Sequence, residues 1–184
     1  MHQLFLIWMS LILPATADRF TGDNNNSQIR FDVASTLHIV PGKITRFTAE
    51  LNVEKDVTGT VVIQSEGIKT GINVRDQRMY SYCLDAEQFP TIRFDIRGVT
   101  DDVEGFTSAQ GTGTIKLHGK LSIRSTGRDI IVPATYSWTE AGLVIKGSTK
   151  VNWSDYGVPD PSILISKVQP VLDVHFDLKM SKTF

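Results

Sequence analysis

The strongest constraint on the fold is a hydrophobic period of two residues, which recurs along nearly the whole chain. In the clearest run, apolar residues from Leu172 to Met180 alternate with polar ones. Successive side chains of a β-strand point to opposite faces of a sheet, so each run has one apolar and one solvated face. This pattern is typical of antiparallel sheets, because parallel strands, covered on both faces, read as continuous apolar runs. The sequence therefore predicts an all-β protein with antiparallel strands.

Turn signals divide the alternating runs into about eight strands. Besides the alternating runs, strand candidates lie at residues 58–64, 106–117, 129–138 and 143–153. Residues 67–85 break the pattern, because their apolar residues have helical spacing, and they predict a short helical crossover between the third and fourth strands. Closing eight amphipathic strands into a barrel removes their exposed edges. Periodicity alone leaves a sandwich open.

Length and charge limit the classes of partner. The chain has 184 residues, which suits one domain. Its formal net charge of −1 comes from interspersed acids and bases, without the basic stripe that binds nucleic acid, so we expect no nucleic-acid partner. Cys83 is the one cysteine, so no intrachain disulfide is expected. Its flanks offer no base or cation that would activate the thiol, which favours a buried structural residue.

The N-terminus has the features of a secretory signal. An uncharged apolar run, Leu4–Leu13, is followed by an Ala-x-Ala sequence that ends at Ala17. A run of about ten residues is too short to span a membrane. We therefore expect a signal peptide over 1–17 that is cleaved after Ala17, a flexible mature N-terminus over 18–27 and a barrel domain over 28–184. The alternative is a buried N-terminal strand or helix.

Apolar side chains at alternating positions predict a lined interior. The predicted lining residues are Phe31, Phe47, Phe94, Leu117, Val174 and Phe176. In a closed barrel, such side chains would surround an aliphatic chain, and each buried methylene would stabilise the complex by about 0.8 kcal/mol. The alternative is that these side chains merely fill a solid core.

The polar candidates are two histidines and an Arg-Asp pair. His38 and His118 lack a nucleophile or carboxylate at a recognisable motif spacing. We therefore expect hydrogen-bonding positions at the barrel ends, with no catalytic residue, metal or cofactor. Arg75 and Asp76 lie in the crossover. The arginine could bind the phosphate or carboxylate head of a ligand, or pair with Asp76 to hold the crossover in place.

Several short motifs, taken together in their order and spacing, carry a family resemblance. They are Ser27–Phe31 (SQIRF), the Arg75-Asp76 pair, Phe89–Phe94 (FPTIRF), Gly113–Gly119 (GTIKLHG) and Asp155–Val158 (DYGV). Over about residues 27–180 the chain resembles the YceI family of exported, lipid-binding-like proteins. The resemblance implies an elongated eight-stranded, lipocalin-like barrel in the bacterial periplasm or outside the cell. It also implies that the barrel binds a polyisoprenoid or another amphipathic lipid chain.

The sequence thus leads to one preferred hypothesis and two alternatives. The preferred one is an exported carrier, not an enzyme and not membrane-spanning, that holds an isoprenoid, quinone-like or fatty ligand in the barrel. The first alternative is a hydrolase-like enzyme that uses His118 or His38 on a hydrophobic substrate. The second is a structural or interaction protein with a filled barrel.

Overall fold

A computed structural model describes residues 18–162 and 166–183. The predicted signal peptide and its cleavage after Ala17 lie outside the described residues. Within the described ranges, no helix is long and apolar enough to cross a membrane.

The described residues contain eleven strands and two short α-helices. The strands are β1 (Asp18–Asp23), β2 (Gln28–Ser35), β3 (Ile39–Ile44), β4 (Phe47–Val53), β5 (Thr58–Gln64), β6 (Ile68–Lys69), β7 (Thr91–Asp101), β8 (Thr112–Ile123), β9 (Thr126–Thr139), β10 (Gly142–Asn152) and β11 (Val168–Thr183). The helices are α1 (Asn73–Arg78) and α2 (Val103–Thr107).

The strands close into an antiparallel barrel. Its order is β1-β4-β5-β7-β8-β9-β10-β11, and a β1–β11 pairing completes the ring. Strands β1 and β2 both pair with β11 and together form one interrupted barrel strand. Strands β3 and β4 likewise form a second interrupted strand, which pairs with β2 and β1. The short β6 pairs only with β3. The prediction of an eight-stranded, lipocalin-like antiparallel barrel is confirmed.

The start of the described chain differs from the expectation of a flexible segment over 18–27. Strand β1 pairs with β4 on one side and β11 on the other. Phe20 explains this difference, because it is buried and packs edge-on against Trp138, with ring centroids 5.0 Å apart. Because Phe20 is a single apolar residue in a polar stretch, there is no alternation of apolar and polar residues from which this strand could be predicted.

The helical crossover is present at the predicted place. Helix α1 runs into a π-helical segment, Met79–Leu84, which ends where Asp85 adopts the left-handed conformation. The side chains of Tyr80, Cys83 and Leu84, which belong to this segment, are buried. The crossover covers the end of the barrel where β5 ends and β7 begins, which is called the upper end below.

The opposite, lower end contains the helix that sequence analysis missed. Residues 106–117 were predicted as a strand, but Phe106 and Thr107 lie in α2, and β8 begins only at Thr112. The Asp102 carboxylate caps the N-terminus of α2 by accepting from the Gly105 N–H at 3.2 Å. Phe106 is completely buried and packs edge-on against Tyr136 at 5.1 Å. Burial of this one ring, a tertiary effect, decides the local conformation.

Candidate ligand-binding interior of the barrel

The six predicted lining residues all occupy inward-facing positions. The register places Phe31 opposite Val174, and both strands alternate so that these side chains point inward. Their exposure differs: Phe31, Phe47 and Leu117 are buried, whereas Phe94, Val174 and Phe176 are only partly buried. The structure thus brings the predicted side chains together on one inner surface.

Two buried apolar clusters lie inside the barrel, one towards each end. The lower cluster surrounds Phe106, and the upper cluster includes Cys83 and Leu84 of the crossover. Five partly exposed side chains pack against both clusters: Ile44, Ile63, Phe94, Ile130 and Val174. These five inward-facing residues keep accessible surface between the two clusters. This apolar zone at mid-height is therefore the candidate binding interior.

Glycines on neighbouring strands hold three phenylalanine rings against the barrel wall. A Cβ at Gly42 would lie 2.0 Å from Phe31 Cζ, and one at Gly147 would lie 2.6 Å from Phe176 Cζ. A Cβ at Gly119 would lie 2.8 Å from Phe94 Cε2. Each ring occupies the room that a missing side chain leaves. The rings therefore lie along the wall and leave the axis of the barrel less filled.

Hydrogen bonds reinforce the closed lower end. The Tyr136 hydroxyl donates to Asp102 Oδ2 at 2.5 Å, and Trp138 Nε1 donates to the Phe106 carbonyl at 3.0 Å. The bond to Asp102, together with burial, raises the pKa of Tyr136 to about 12. Gly105 lies against this pair, since a Cβ there would be 2.5 Å from the hydroxyl oxygen. The lower end is thus a tightly packed plug.

The upper end is covered by the crossover and by the segment after β10. Arg124, at the β8–β9 turn, donates to the Cys83 carbonyl at 3.4 Å and to the Gly157 carbonyl at 3.3 Å. It thereby joins the two covering segments. Tyr80 donates its hydroxyl to the Ile68 carbonyl at 2.6 Å. Burial raises the pKa of the Cys83 thiol, which makes it a poor nucleophile.

A comparison with protein-family models identifies the fold family. The model for the YceI-like domain matches residues 20–180. The chain belongs to the YceI-like domain family. No curated protein sequence matches the chain significantly.

Solved structures of low sequence identity share the YceI-like fold. BcnA of Burkholderia cenocepacia is 17% identical, with a TM-score of 0.72 over 85% of this chain and 98% of that one. A polyisoprenoid-binding domain from Saccharophagus degradans is 13% identical, with a TM-score of 0.75 over 91% of this chain and 100% of that one. The Campylobacter jejuni YceI protein is 15% identical, with a TM-score of 0.60, over 79% and 85%.

In this YceI-like barrel, Arg75 and Asp76 hold the start of the crossover. Asp76 is buried, and it accepts from both the backbone N–H and the hydroxyl of Thr70. Arg75 donates from Nε to the Thr70 hydroxyl at 2.8 Å and from Nη2 to the Thr70 carbonyl at 2.9 Å. The two side chains thus meet at Thr70 rather than in a direct ion pair with each other, and this network fits a structural role of the pair. Thr70 lies three residues before the start of α1.

Neither histidine borders the interior. His38 is exposed in the β2–β3 turn at the upper end, where its carbonyl accepts from the Ser35 hydroxyl at 2.8 Å. His118 lies in the middle of β8, between the inward-facing Leu117 and Gly119, so it faces outward. There its Nε2 is 2.8 Å from Thr100 Oγ1. The expected position of His118 at a barrel end is wrong, because the strand extends beyond it in both directions.

Sequence reasoning missed three of the five residues at mid-height. Ile130 adjoins Ile131, Ile63 adjoins Val62, and Ile44 stands at the end of a strand. In the two adjacent pairs, periodicity does not tell which residue points inward. Among the described residues, no cluster of three or more metal-ligating side chains occurs.

Proposed function

We propose that this YceI-like barrel is an exported bacterial carrier, periplasmic or secreted, that holds an amphipathic lipid chain of the isoprenoid, quinone or fatty type. The observation that carries the proposal is the mid-height zone of partly exposed, inward-facing apolar side chains. The buried hydrogen-bonding side chains of Tyr136, Tyr80 and Asp76 lie at the two ends. A surface of this kind binds a flexible hydrocarbon by area rather than by directed contacts.

The energetics favour a long chain. About 15–20 buried methylenes would contribute roughly 12–16 kcal/mol, against association costs of about 4–15 kcal/mol. The free energy gained by burying a short fragment would not offset those costs. The similarity to a polyisoprenoid-binding domain supports a ligand of this length class.

Binding rather than catalysis fits the placement of the polar groups. An enzyme acting on a ligand in the interior needs a base or nucleophile within hydrogen-bond reach of it. His118 faces the outer surface, His38 is exposed at a turn, and the buried thiol of Cys83 is a poor nucleophile.

The test begins with native mass spectrometry of the full-length protein expressed in a bacterium and recovered from the periplasm. We expect a bound species of several hundred daltons that is lost on denaturation and extracts into organic solvent. Recovery of the intact precursor from the cytoplasm would contradict export. A bare polypeptide that also fails to bind added polyprenyl alcohols, quinones and fatty acids would contradict the carrier.

Two adjacent isoleucines provide a matched pair of variants. Ile130 faces the interior, whereas Ile131 is 55% exposed on the outer face. We expect Ile130→Phe to weaken the binding of a dansyl-labelled polyprenyl alcohol by about tenfold, the equivalent of 1.4 kcal/mol. Ile131→Phe should leave the affinity unchanged. Equal effects of the two variants would show that the ligand does not occupy the interior.

A further inference from the structure

The hydrogen-bonded ladder between β9 and β10 ends halfway up the barrel. Its last pair is Gly147 with Ala134, although β9 begins at Thr126 and β10 continues to Asn152. Over the same length, the other edges of these strands remain paired, β9 with β8 and β10 with β11. The facing edges of β9 and β10 above Gly147 have no ladder partner among the described residues. A slit therefore separates the two strands in the upper half of the barrel.

The sequence around the last pair explains where the strands part. Pro133, the next residue of β9, has no N–H to donate to a ladder. At the last pair the backbones are very close, since a Cβ on Gly147 would lie 2.4 Å from the Pro133 carbonyl oxygen. Higher up, Arg128 Nε donates to the Asp155 carbonyl at 2.7 Å, in the segment after β10. These two contacts bound the slit below and above.

The slit lies at the level of the candidate binding interior. On the inner side, Ile130 of β9 and Thr149 of β10 face inward, and both are partly exposed. Thr149 pairs with Val174, which belongs to the mid-height zone. On the outer side is a depression of about 320 Å³, lined by Pro133, Ser148, Thr149, Lys150, Asp173 and His175. Apolar surface thus lies behind a polar rim.

Both ends of the barrel are covered by packed structure. Phe106, with no exposed surface, occupies the lower end, and the crossover with buried Leu84 covers the upper end. By contrast, the facing backbone edges along the slit have no ladder partner among the described residues. Widening the slit therefore breaks no ladder pair there, whereas withdrawing either cover exposes buried apolar side chains.

We propose that the slit between β9 and β10 is the portal through which a lipid tail enters and leaves the interior. The polar head stays at the outer rim, where Lys150 pairs with Asp173 and His175 is exposed. This inference rests on the proposed carrier function. It adds a route and a location for the head group.

The test closes the slit with a chemical cross-link (a staple) between β9 and β10. Ile131 and Lys150 both face outward and would pair if the ladder continued in the same register. Ile131→Cys with Lys150→Cys, joined by a short bifunctional thiol reagent, closes the slit. Thr135→Cys with Lys146→Cys is the matched control, because that pair already lies within the ladder. The buried Cys83 thiol, with its raised pKa, should not react. Mass spectrometry confirms each staple.

Stopped-flow fluorescence with a dansyl-labelled polyprenyl alcohol measures the rates. Relative to the same Ile131→Cys/Lys150→Cys protein before cross-linking, we expect the slit staple to slow association and dissociation together by about tenfold with the same Kd, because a portal controls access rather than affinity. The control staple should change neither rate. Ser148→Trp places a ring at the slit without any cross-linking reaction. It should also slow both rates relative to Thr135→Trp.

The outcomes separate the two proposals. Unchanged rates in both the stapled protein and Ser148→Trp would refute the portal and point to entry through an end, while leaving the carrier intact. A wild-type protein that binds none of the probes would refute the carrier, and the portal with it.

Discussion

Replacing Gly42 by alanine tests whether the phenylalanine rings shape the interior. A Cβ at this position would lie 2.0, 2.4 and 2.6 Å from three atoms of the Phe31 ring. Carbon atoms make favourable contact at about 3.5–4.0 Å, so the ring must move by about 1.5 Å or more. The nearest neighbours of the new methyl are all ring atoms, so the ring is the group that moves. The direction left to it is towards the barrel axis.

The expected cost follows from two opposing terms. Overpacking a filled site costs about 1–3 kcal/mol. Alanine also reduces the freedom of the unfolded chain, which stabilises the folded protein by about 0.4–1 kcal/mol. We therefore expect Gly42→Ala to lower the free energy of unfolding by about 1–2 kcal/mol. It should also weaken the binding of a dansyl-labelled polyprenyl alcohol, because the displaced ring enters the space of the chain.

Gly98→Ala is the matched control. A Cβ on Gly98 would have no atom within 4 Å, and its φ is not in the left-handed region. We expect this variant to be as stable as the wild type or slightly more stable, with unchanged affinity. Urea unfolding and fluorescence titration measure the two quantities. If Gly42→Ala had the same free energy of unfolding and the same ligand affinity as Gly98→Ala, the ring would not lie against Gly42 as described. The argument for an open axis would then fail.

Three further predictions concern the ends of the barrel. Phe106→Ala should lower the free energy of unfolding by about 3–5 kcal/mol in urea titrations, because it empties a fully buried ring site; a loss under 1 kcal/mol would contradict the plug. The folded-state pKa of Tyr136, about 12, exceeds its usual value of 10, so the unfolded chain releases this proton first. The stability that the Tyr136 hydroxyl contributes is therefore complete below pH 10 and is lost as the pH rises towards 12. Tyr136→Phe should remove this fall in the free energy of unfolding between pH 10 and 12. The same pH dependence in the variant and the wild type would contradict the assignment. Asp76→Ala leaves two Thr70 donors without their acceptor and should speed hydrogen exchange in the crossover more than in β8; uniform protection would show that Asp76 does not hold the crossover.

Local alternation was enough to predict most of the barrel. The runs in β2, β4, β7 and β11 each present one apolar face, and the register places those faces inward. The break in period over residues 67–85 likewise predicted the crossover, because helical spacing is incompatible with a sheet face. All six predicted lining residues occupy inward-facing positions for the same reason.

Two of the failures share one physical cause, which is burial by residues distant in sequence. Phe106 is helical because it fits a site formed by Tyr136 and Trp138. Strand β1 forms because Phe20 is covered by Trp138. His118 was expected at a barrel end because the predicted strand stopped at residue 117, whereas β8 continues to Ile123. For Phe106 and Phe20 the deciding neighbour lies at least thirty residues away, beyond the reach of a periodicity window.

By itself, the sequence determined the all-β antiparallel class, the position of the crossover and, through the family resemblance, the eight-stranded barrel, since side-chain alternation and short motifs are local properties. The tertiary structure alone decided which ends are covered, which side chains at mid-height keep exposed surface, and where β9 separates from β10. Those features depend on how strands from distant parts of the chain meet, on the glycines beneath the phenylalanine rings and on the ladder that ends at Gly147. Periodicity assigns a residue to a face, and only packing determines whether that face is filled.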